Sequence, residues 1–255
     1  MKSQILFLDT ETTSKDNGRL VQLAVKKPGF WNEECMEFKY KPAEPICFEA
    51  MAVHHITEED VAGLKTFEES GERCHLQKEL NSCILVAHNA KFDIGVLERE
   101  GLTVPNFIDT LKVARYLLPD MPNHQLQYLR YALHLDVSKA ATAHDAVGDV
   151  LALEALFHNL FWKTVDVMFD DATIDKVQGK TNDELQELVH EKMIEISKKP
   201  SLVKVLRFGK YAGKDIVVVI KEDRNYINWL LGRVDLDEDL KYSIDYYSKE
   251  QKLAI

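Results

Sequence analysis

Two carboxylates, Asp9 and Glu11, directly follow an apolar run at residues 5–8. Such a run is typical of a strand buried on both faces, and an i, i+2 spacing in a strand puts both carboxylates on one face. Two like charges held together at the end of a core strand are unfavourable without a cation, and hard divalent ions prefer several carboxylate oxygens. The pair therefore predicts a metal site, with a solvated strand end as the alternative.

Further acids follow other apolar segments. Asp93 closes the segment His88-Asn89-Ala90-Lys91-Phe92-Asp93, which comes after a strand-like run at 84–87. Asp149 stands near the start of a long predicted helix, five residues after His144. Each acid alone could be a helix-start charge, and the histidine alone could be a cap or a surface side chain. Considered as a set, these residues are candidates for one acidic cluster with a histidine beside it.

The elements around these residues predict an α/β fold. Strands at 5–8, 20–25 and 36–40 form an antiparallel meander, and later strands alternate with helices, which together indicate a mixed sheet flanked by helices. The later strands are predicted at 84–87 and 107–108, and the helices at 91–100, 110–118, 124–134 and 145–164. Asp109 is expected to cap the helix at 110–118.

In this order, the three motifs resemble those of the DEDDh (DnaQ-like) family of 3′–5′ exonucleases. They are the Asp-x-Glu strand, the His-Asn-x-x-Phe-Asp segment and the His-x-x-x-x-Asp pair. The resemblance covers residues 3–164 and implies a ribonuclease H-like fold, a five-stranded mixed sheet with helices on both sides. It also implies hydrolysis of DNA from the 3′ end to nucleoside 5′-monophosphates by a two-metal mechanism.

The resemblance assigns roles to the clustered residues. The metal ligands would be Asp9, Glu11, Asp149 and, mainly through water, Asp93. His144 would take the proton from the attacking water, and its unperturbed pKa of about 6.5 suits a general base. Mg²⁺ is the implied cofactor, two ions per site, with Mn²⁺ as a substitute because an all-oxygen site suits both ions.

The resemblance also implies a pocket for the terminal nucleotide. Its residues would be Thr10, Thr12, Thr13, His54, Asn89 and Phe92. His54 matches a histidine of the family segment at 50–57, and a core or surface role for it stays open. His55 and Ser14 stand where many relatives have glycine, which leaves the role of His55 and the shape of the pocket open.

The sequence predicts three parts: an exonuclease domain at 1–165, a linker at 166–180 and a C-terminal module at 181–255. A capping box at 181–184 starts a helix in the module. A strand-like run at 216–220 and a helix-like run at 226–231 predict a small α+β unit. Three segments of this module, at 199–202, 208–214 and 226–230, resemble the tail of the exodeoxyribonuclease X group.

One stretch of the module is strongly basic. Residues 198–214 contain six Lys or Arg and no Asp or Glu, with Phe208 and Tyr211 interleaved. Basic residues with aromatic neighbours suit contact with a nucleic-acid backbone and base stacking, and a solvated basic face is the alternative. The predicted nucleic-acid patch consists of Lys204, Arg207, Lys210, Tyr211 and Lys214.

Composition sets the outer bounds. The chain has 255 residues and a formal net charge of −10, which argues against coating nucleic acid through bulk charge. No apolar run approaches the roughly 20 residues of a membrane helix, so no membrane partner is expected. The 4 cysteines lack C-x-x-C spacing, and with no signal peptide they predict reduced thiols in the cytoplasm.

The expected partner is DNA with a free 3′ end, single-stranded or duplex. RNA is a possible substrate. The alternative functions are an exonuclease that trims RNA 3′ ends and the proofreading subunit of a polymerase, and the C-terminal module argues against both. A non-catalytic nucleic-acid-binding scaffold is a third interpretation, and the intact set of acids argues against it. The sequence leaves the oligomeric state and the biological pathway open.

Overall fold

A computed structural model describes residues 4–27, 34–137, 146–169, 181–234 and 236–250. Within them, five strands form one open sheet in the order β3-β2-β1-β4-β5. The β1–β2 and β2–β3 pairs are antiparallel, whereas β4 lies parallel to β1 and β5 parallel to β4. The strands are β1 (Gln4–Thr12), β2 (Leu20–Lys26), β3 (Met36–Lys39), β4 (Cys83–Ala87) and β5 (Phe107–Asp109).

Helices cover both faces of this sheet. The helices before β4 are α1 (Phe48–His54), α2 (Glu58–Val61) and α3 (Gly71–Ser82). Those after it are α4 (Ala90–Arg99), α5 (Thr110–Leu117), α6 (Leu126–Ala132), α7 (Ala146–Met168) and α8 (Asn182–Ser197). One hydrophobic cluster joins the sheet to α5, α6, α7 and α8, and another joins its opposite face to α3 and α4.

Successive side chains of the central strand β1 pack alternately into the two hydrophobic clusters. Ile5 and Phe7 belong to the cluster with α7, and Leu6 and Leu8 belong to the cluster with α4. The same alternation, continued past Leu8, directs odd-numbered residues toward α7 and even-numbered residues toward α4. The apolar run thus decides which helix each following polar side chain faces.

The predicted fold class is confirmed: a mixed five-stranded sheet flanked by helices, with the antiparallel meander first. Asp109 caps α5 as expected, because its Oδ1 accepts from the backbone N–H groups of Leu111 and Lys112 at 3.0 and 3.5 Å. The predicted linker at 166–180 begins too early, since α7 continues to Met168. Residues 170–180 of that linker lie outside the described residues.

The C-terminal part differs from the predicted α+β unit. Residues 216–220, predicted as a strand, belong to the helix α9 (Ile216–Glu222). Ile216, Val219 and Ile220 are buried at helical spacing, and Asp215 caps the helix by accepting from the Val217 N–H at 2.7 Å. Two helices follow, α10 (Arg224–Leu231) and α11 (Glu238–Glu250). The described β pairing in this part is one isolated bridge between Val205 and Asp215.

Helix α8 belongs with the sheet rather than with these later helices. Val189, Met193 and Ile196 are buried in the cluster that contains α7 and the β1 residues Ile5 and Phe7. The predicted boundary at residue 181 placed α8 in the C-terminal module. The packing favours a boundary after α8, and we use "C-terminal module" below for residues 198–250.

A buried ion pair joins the module to helix α5. Arg115 on α5 and Asp239 on α11 form it, with side chains only 9% and 3% exposed. Asp239 also accepts from the backbone N–H of Ser201 at 2.9 Å. The module is therefore attached through polar groups that are withdrawn from water. Across the described residues, no helix is both long enough and apolar enough to span a membrane.

Candidate active site

Three of the predicted acids meet at the end of β1. Asp9 and Glu11 project from the strand face that looks toward α7, and Asp149 lies in the first turn of α7. One carboxylate oxygen from each can be chosen so that all three atoms lie within 4.8 Å of one another. The i, i+2 spacing of the strand and the position of the helix start therefore bring the three charges together as the sequence predicted.

Asp93 stands beside this trio, on the other side of β1. Its Oδ1 accepts from the Thr10 backbone N–H at 3.1 Å and from the Thr10 hydroxyl at 2.8 Å. Thr10 has the opposite parity to Asp9 and Glu11 and so faces α4, the helix that carries Asp93. Asp93 therefore lies next to the three clustered acids, and its hydrogen bonds from Thr10 hold it against β1.

The electrostatics of the site call for a cation. Burial raises the pKa of Asp9 well above its ordinary value, and the charges of Asp93, Glu11 and Asp149 raise it further. Burial also raises the pKa of Asp93 to about 7, although hydrogen bonds from Thr10 oppose the shift. Carboxylates this close favour either protons or a divalent ion, and the all-oxygen donor set fits Mg²⁺ or Mn²⁺. Asp9, Glu11 and Asp149 are the residues that would hold it.

His144, the predicted general base, lies outside the described residues, as does the Asp145 that follows it. Asp149 stands one turn into α7, whose described part begins at Ala146. The role of His144 remains a prediction.

The threonines after the acids shape the turn rather than projecting freely. The Thr12 hydroxyl donates to the carbonyl of Ser14 at 2.8 Å, and the Thr13 hydroxyl donates to Glu44. The register of β1 against β2 shifts between Glu11 and Thr12, an irregularity that re-aims the side chains at the end of the strand. Gly18 closes the turn, because a Cβ there would lie 2.2 Å from the carbonyl oxygen of Ser14.

His54 braces the same turn from α1. Its Nδ1 accepts from the Ile56 N–H at 3.0 Å, so Nε2 carries the proton and donates to the Thr12 carbonyl at 3.2 Å. Burial lowers the pKa of His54, which keeps the ring neutral. Its neighbour His55 ends α1 in a left-handed conformation, φ +60°. Glycine adopts that conformation without strain, whereas histidine does not.

The turn before α4 is held by a second set of contacts. Asn89 is left-handed, φ 70°, and its backbone N–H donates to Asp109 at 3.1 Å. His88 lies against Thr110 at 3.0 Å and against the carbonyl of His124 at 2.8 Å, and burial lowers its pKa to about 4. Phe92 is half-buried beside the β1 cluster. Of the predicted substrate residues, Asn89 lies at the start of α4 and Phe92 directly precedes Asp93 on that helix.

The chain matches a known protein family. A family model described as exonuclease matches residues 6–157. The chain belongs to the exonuclease family. The resemblance noted from the motifs is thereby confirmed, and the match includes the acids on β1, α4 and α7.

Two curated proteins resemble the chain over different shares of its length. The exonuclease is 29% identical to Exodeoxyribonuclease 10 of Escherichia coli K12 over 244 residues, which is 94% of this chain and 97% of that protein. It is 31% identical over 170 residues to a DNA polymerase III subunit epsilon-like protein of Rhodobacter capsulatus, covering 62% of this chain and 24% of the relative.

Among solved structures, the exonuclease resembles exonuclease X in complex with 5′ overhanging duplex DNA. The TM-score is 0.54 at 26% identity, over 76% of this chain and 99% of that chain. It also shares the fold of Escherichia coli exonuclease I in complex with a dT13 oligonucleotide. That match has a TM-score of 0.51 at 21% identity, over 65% of this chain and 42% of the other.

The predicted nucleic-acid patch of the exonuclease is internally paired. Lys204 pairs with Asp120, Lys210 with Asp223 at 2.9 Å, and Lys214 with Glu222 at 3.4 Å. Tyr211 donates its hydroxyl to Asp223 at 2.8 Å, and Arg207 donates to Nδ1 of His124 at 3.0 Å. Acids outside residues 198–214 thus offset the basic stretch. The patch stays a prediction, and its cations are less available than their sequence density implied.

Sequence reasoning missed Gln127. Its side-chain amide, from α6, donates to Oδ1 of Asp149 at 2.5 Å. Arg130, one turn later, contacts the Gln127 oxygen at 3.4 Å, which is consistent with the amide nitrogen facing Asp149. No motif marks this glutamine in the sequence. Its role arises because α6 packs on α7, a tertiary contact that local patterns do not reveal.

Proposed function

We propose that the protein is a metal-dependent 3′–5′ exodeoxyribonuclease that releases nucleoside 5′-monophosphates. The convergence of Asp9, Glu11 and Asp149 within 4.8 Å, in a chain of the exonuclease family, carries this proposal. Support also comes from Exodeoxyribonuclease 10, whose likeness extends over 94% of this chain. The exonuclease X complex makes duplex DNA with a 5′ overhang the first substrate to test.

In this proposal, each residue has a defined task. Asp9, Glu11 and Asp149 hold the divalent ions, with Asp93 contributing from its place beside Thr10. Two such ions stabilise the attacking and leaving oxygens of a phosphoryl transfer when bound. His144 accepts the proton of the attacking water, and Asn89 and Phe92 position the terminal nucleotide against the acids. Thr10, Thr12 and His54 fix the shape of the end of β1.

A matched set of end-labelled substrates tests the proposal. DNA and RNA of one sequence, single-stranded and as duplexes with 5′ overhangs, are incubated with Mg²⁺, with Mn²⁺ or with chelator. We expect mononucleotides from the 3′ end of DNA with either ion, and none with chelator. Faster digestion of RNA would replace the assignment with RNA trimming. Cleavage of closed circular single-stranded DNA would indicate an endonuclease.

A further inference from the structure

A groove of about 710 Å³ opens between the turn after β1 and helix α4. One wall follows Glu11 along the chain, and the other wall is the helix that carries Asp93. Its lining residues are Lys15, Asp16, Asn17, Lys91, Phe92, Gly95 and Arg99.

The charge of this groove is positive, in a chain whose formal net charge is −10. Three of its lining residues are cations, and Asp16 is the one acid among them. Lys15 lies on the exposed turn. The Lys91 side chain is 82% exposed and lies 3.3 Å from Glu238, an acid that it shares with Lys112. The groove therefore attracts anions next to a site whose own charge is negative.

Arg99 is held in place as part of the groove wall. Its Nε donates to the carbonyl of Gly18 at 3.0 Å, which ties α4 to the turn after β1. A Cβ at position 95 would lie 3.3 Å from the Nη1 of Arg99, so the guanidinium lies across the backbone of α4 at Gly95. Glycine in a helix interior is unfavourable by about 1 kcal/mol relative to alanine. Gly95 places no side chain between the backbone of α4 and the Arg99 guanidinium, which keeps the groove open there.

The spacing of these residues suits a nucleic-acid backbone. Positions 91, 95 and 99 recur every four residues on α4, so the groove extends about 12 Å along the helix. Phosphates of a stacked strand follow one another about every 3.4 Å along the helix axis. The groove is thus long enough for about three to four phosphates.

We propose that this groove binds the sugar–phosphate backbone of the DNA substrate, two to four nucleotides from the bond that is cut. The inference rests on the proposed function and deepens it by placing the contact with the body of the substrate. Lys15 and Arg99 supply the contact from opposite walls. The paired cations of the C-terminal module are the competing site.

Binding to labelled duplex DNA with a 5′ overhang, measured by fluorescence anisotropy in chelator, tests the groove without requiring hydrolysis. We compare wild type with Lys15→Gln/Arg99→Gln, with Lys210→Gln/Lys214→Gln from the competing site, and with the control Lys78→Gln on α3. We expect the groove variant alone to raise Kd at least about tenfold at low salt. It should also flatten the slope of log Kd against log salt by about one to two, since each lost phosphate contact removes nearly one.

A length series separates this inference from the proposed function. Substrates run from the p-nitrophenyl ester of thymidine 5′-monophosphate to single strands and duplexes of 12 nucleotides. In the groove variant, the ratio of kcat/KM for a 12-mer to that for the ester should fall at least tenfold. The variant Lys15→Gln/Arg99→Lys keeps the positive charge at position 99 but loses the planar guanidinium, so it should recover part of the lost ratio. A smaller loss for single strands than for duplexes would place the second strand in the groove.

The possible results lead to different conclusions. Unchanged Kd and salt slope in the groove variant would overturn the inference, most clearly if Lys210→Gln/Lys214→Gln weakens binding instead. Failure of wild type to hydrolyse the ester and all DNA would overturn the proposed function, while the binding comparison would still judge the groove. Thermal melting of each variant confirms that the fold is retained, and Lys15→Gln alone, on an exposed turn, provides a variant with little effect on folding.

Discussion

The side-chain amide of Gln127 on α6 donates a hydrogen bond to the carboxylate of Asp149 on α7, one of the three acids that meet at the end of β1. That contact holds the Asp149 carboxylate in one orientation within the group of three acids. Groups that orient metal ligands in this way affect affinity or activity by about 10- to 100-fold.

Gln127→Ala should therefore lower kcat/KM about tenfold or more and raise the Mg²⁺ concentration needed for half-maximal rate. Gln125→Ala, two residues earlier and exposed, is the control and should match wild type. Steady-state rates across a Mg²⁺ titration make the measurement. An unchanged Mg²⁺ requirement in Gln127→Ala, with only thermal stability reduced, would show that the contact supports packing alone.

Removing one clustered charge should affect stability and activity in opposite directions. Burial and the neighbouring carboxylates both raise the pKa of Asp9, and Asp9→Asn removes both the buried charge and the repulsion, so the metal-free variant should melt at a higher temperature than metal-free wild type. Its activity should fall by several orders of magnitude, and added Mn²⁺ should raise its melting temperature less than that of wild type. Asp166→Asn, at the exposed far end of α7, should change neither. Equal Mn²⁺-induced shifts in Asp9→Asn and wild type would remove Asp9 from the metal site.

His190 on α8 should make the protein sensitive to acid. It is buried against Phe157 and Phe161, with ring centroids 5.9 and 5.8 Å away, and neither ring nitrogen has a hydrogen-bond partner among the described residues. Burial lowers its pKa to about 4, from 6.5. Between these values the unfolded chain binds a proton that the folded chain does not, so the free energy of unfolding decreases as pH falls from 6.5 to 4.

His190→Leu should reduce that decrease and raise stability at pH 5, as measured by urea unfolding at several pH values. The control Phe161→Leu removes a neighbouring ring but no titratable group, so its pH profile should run parallel to that of wild type. Parallel profiles for His190→Leu and wild type would mean that His190 does not contribute to the acid sensitivity.

His55→Gly should stabilise the protein. His55 is exposed and left-handed, φ 60°, at the end of α1, a conformation that costs a non-glycine residue about 1 kcal/mol. Part of that gain is lost to the greater freedom of glycine in the unfolded chain. The midpoint of urea unfolding should rise for His55→Gly and fall for His55→Val. A lower midpoint for His55→Gly would reveal a contribution from the imidazole.

Breaking the buried pair of Arg115 and Asp239 should be strongly destabilising. Asp239→Asn leaves a buried guanidinium without its counter-charge, which typically costs 3–5 kcal/mol. The double variant Arg115→Met/Asp239→Asn should recover much of that loss, because no charge of the pair then remains buried and the amide oxygen introduced at position 239 can still accept from the Ser201 N–H. Urea unfolding of the two variants and of wild type makes the comparison. Equal losses in the single and double variants would show that packing, not charge, joins the module.

The sequence predicted the meeting of the acids at the end of β1 because its signals are local. The run at 5–8 and the i, i+2 spacing of Asp9 and Glu11 need only strand geometry, and the cap at Asp109 needs only its own turn. Errors arose where a tertiary contact decided the outcome. The run at 216–220 is rich in β-branched residues, yet it is a helix because Asp215 caps it and its i, i+3, i+4 positions are buried. The pairing of Lys204, Lys210 and Lys214 with acids elsewhere was likewise invisible to a count of charges along the chain.

The alternation along β1 has a consequence for how this strand can change. Residues 5–8 are apolar on both faces, so insertion or loss of one residue before Asp9 would leave the two hydrophobic layers nearly satisfied. The same slip would turn Asp9 and Glu11 toward α4 and Thr10 toward α7. Hydrophobic packing therefore tolerates a one-residue shift of β1, whereas the arrangement of the acids does not. The hydrogen bonds from Thr10 to Asp93 help to oppose such a slip. This contact beside the acids therefore also helps to fix the register of β1.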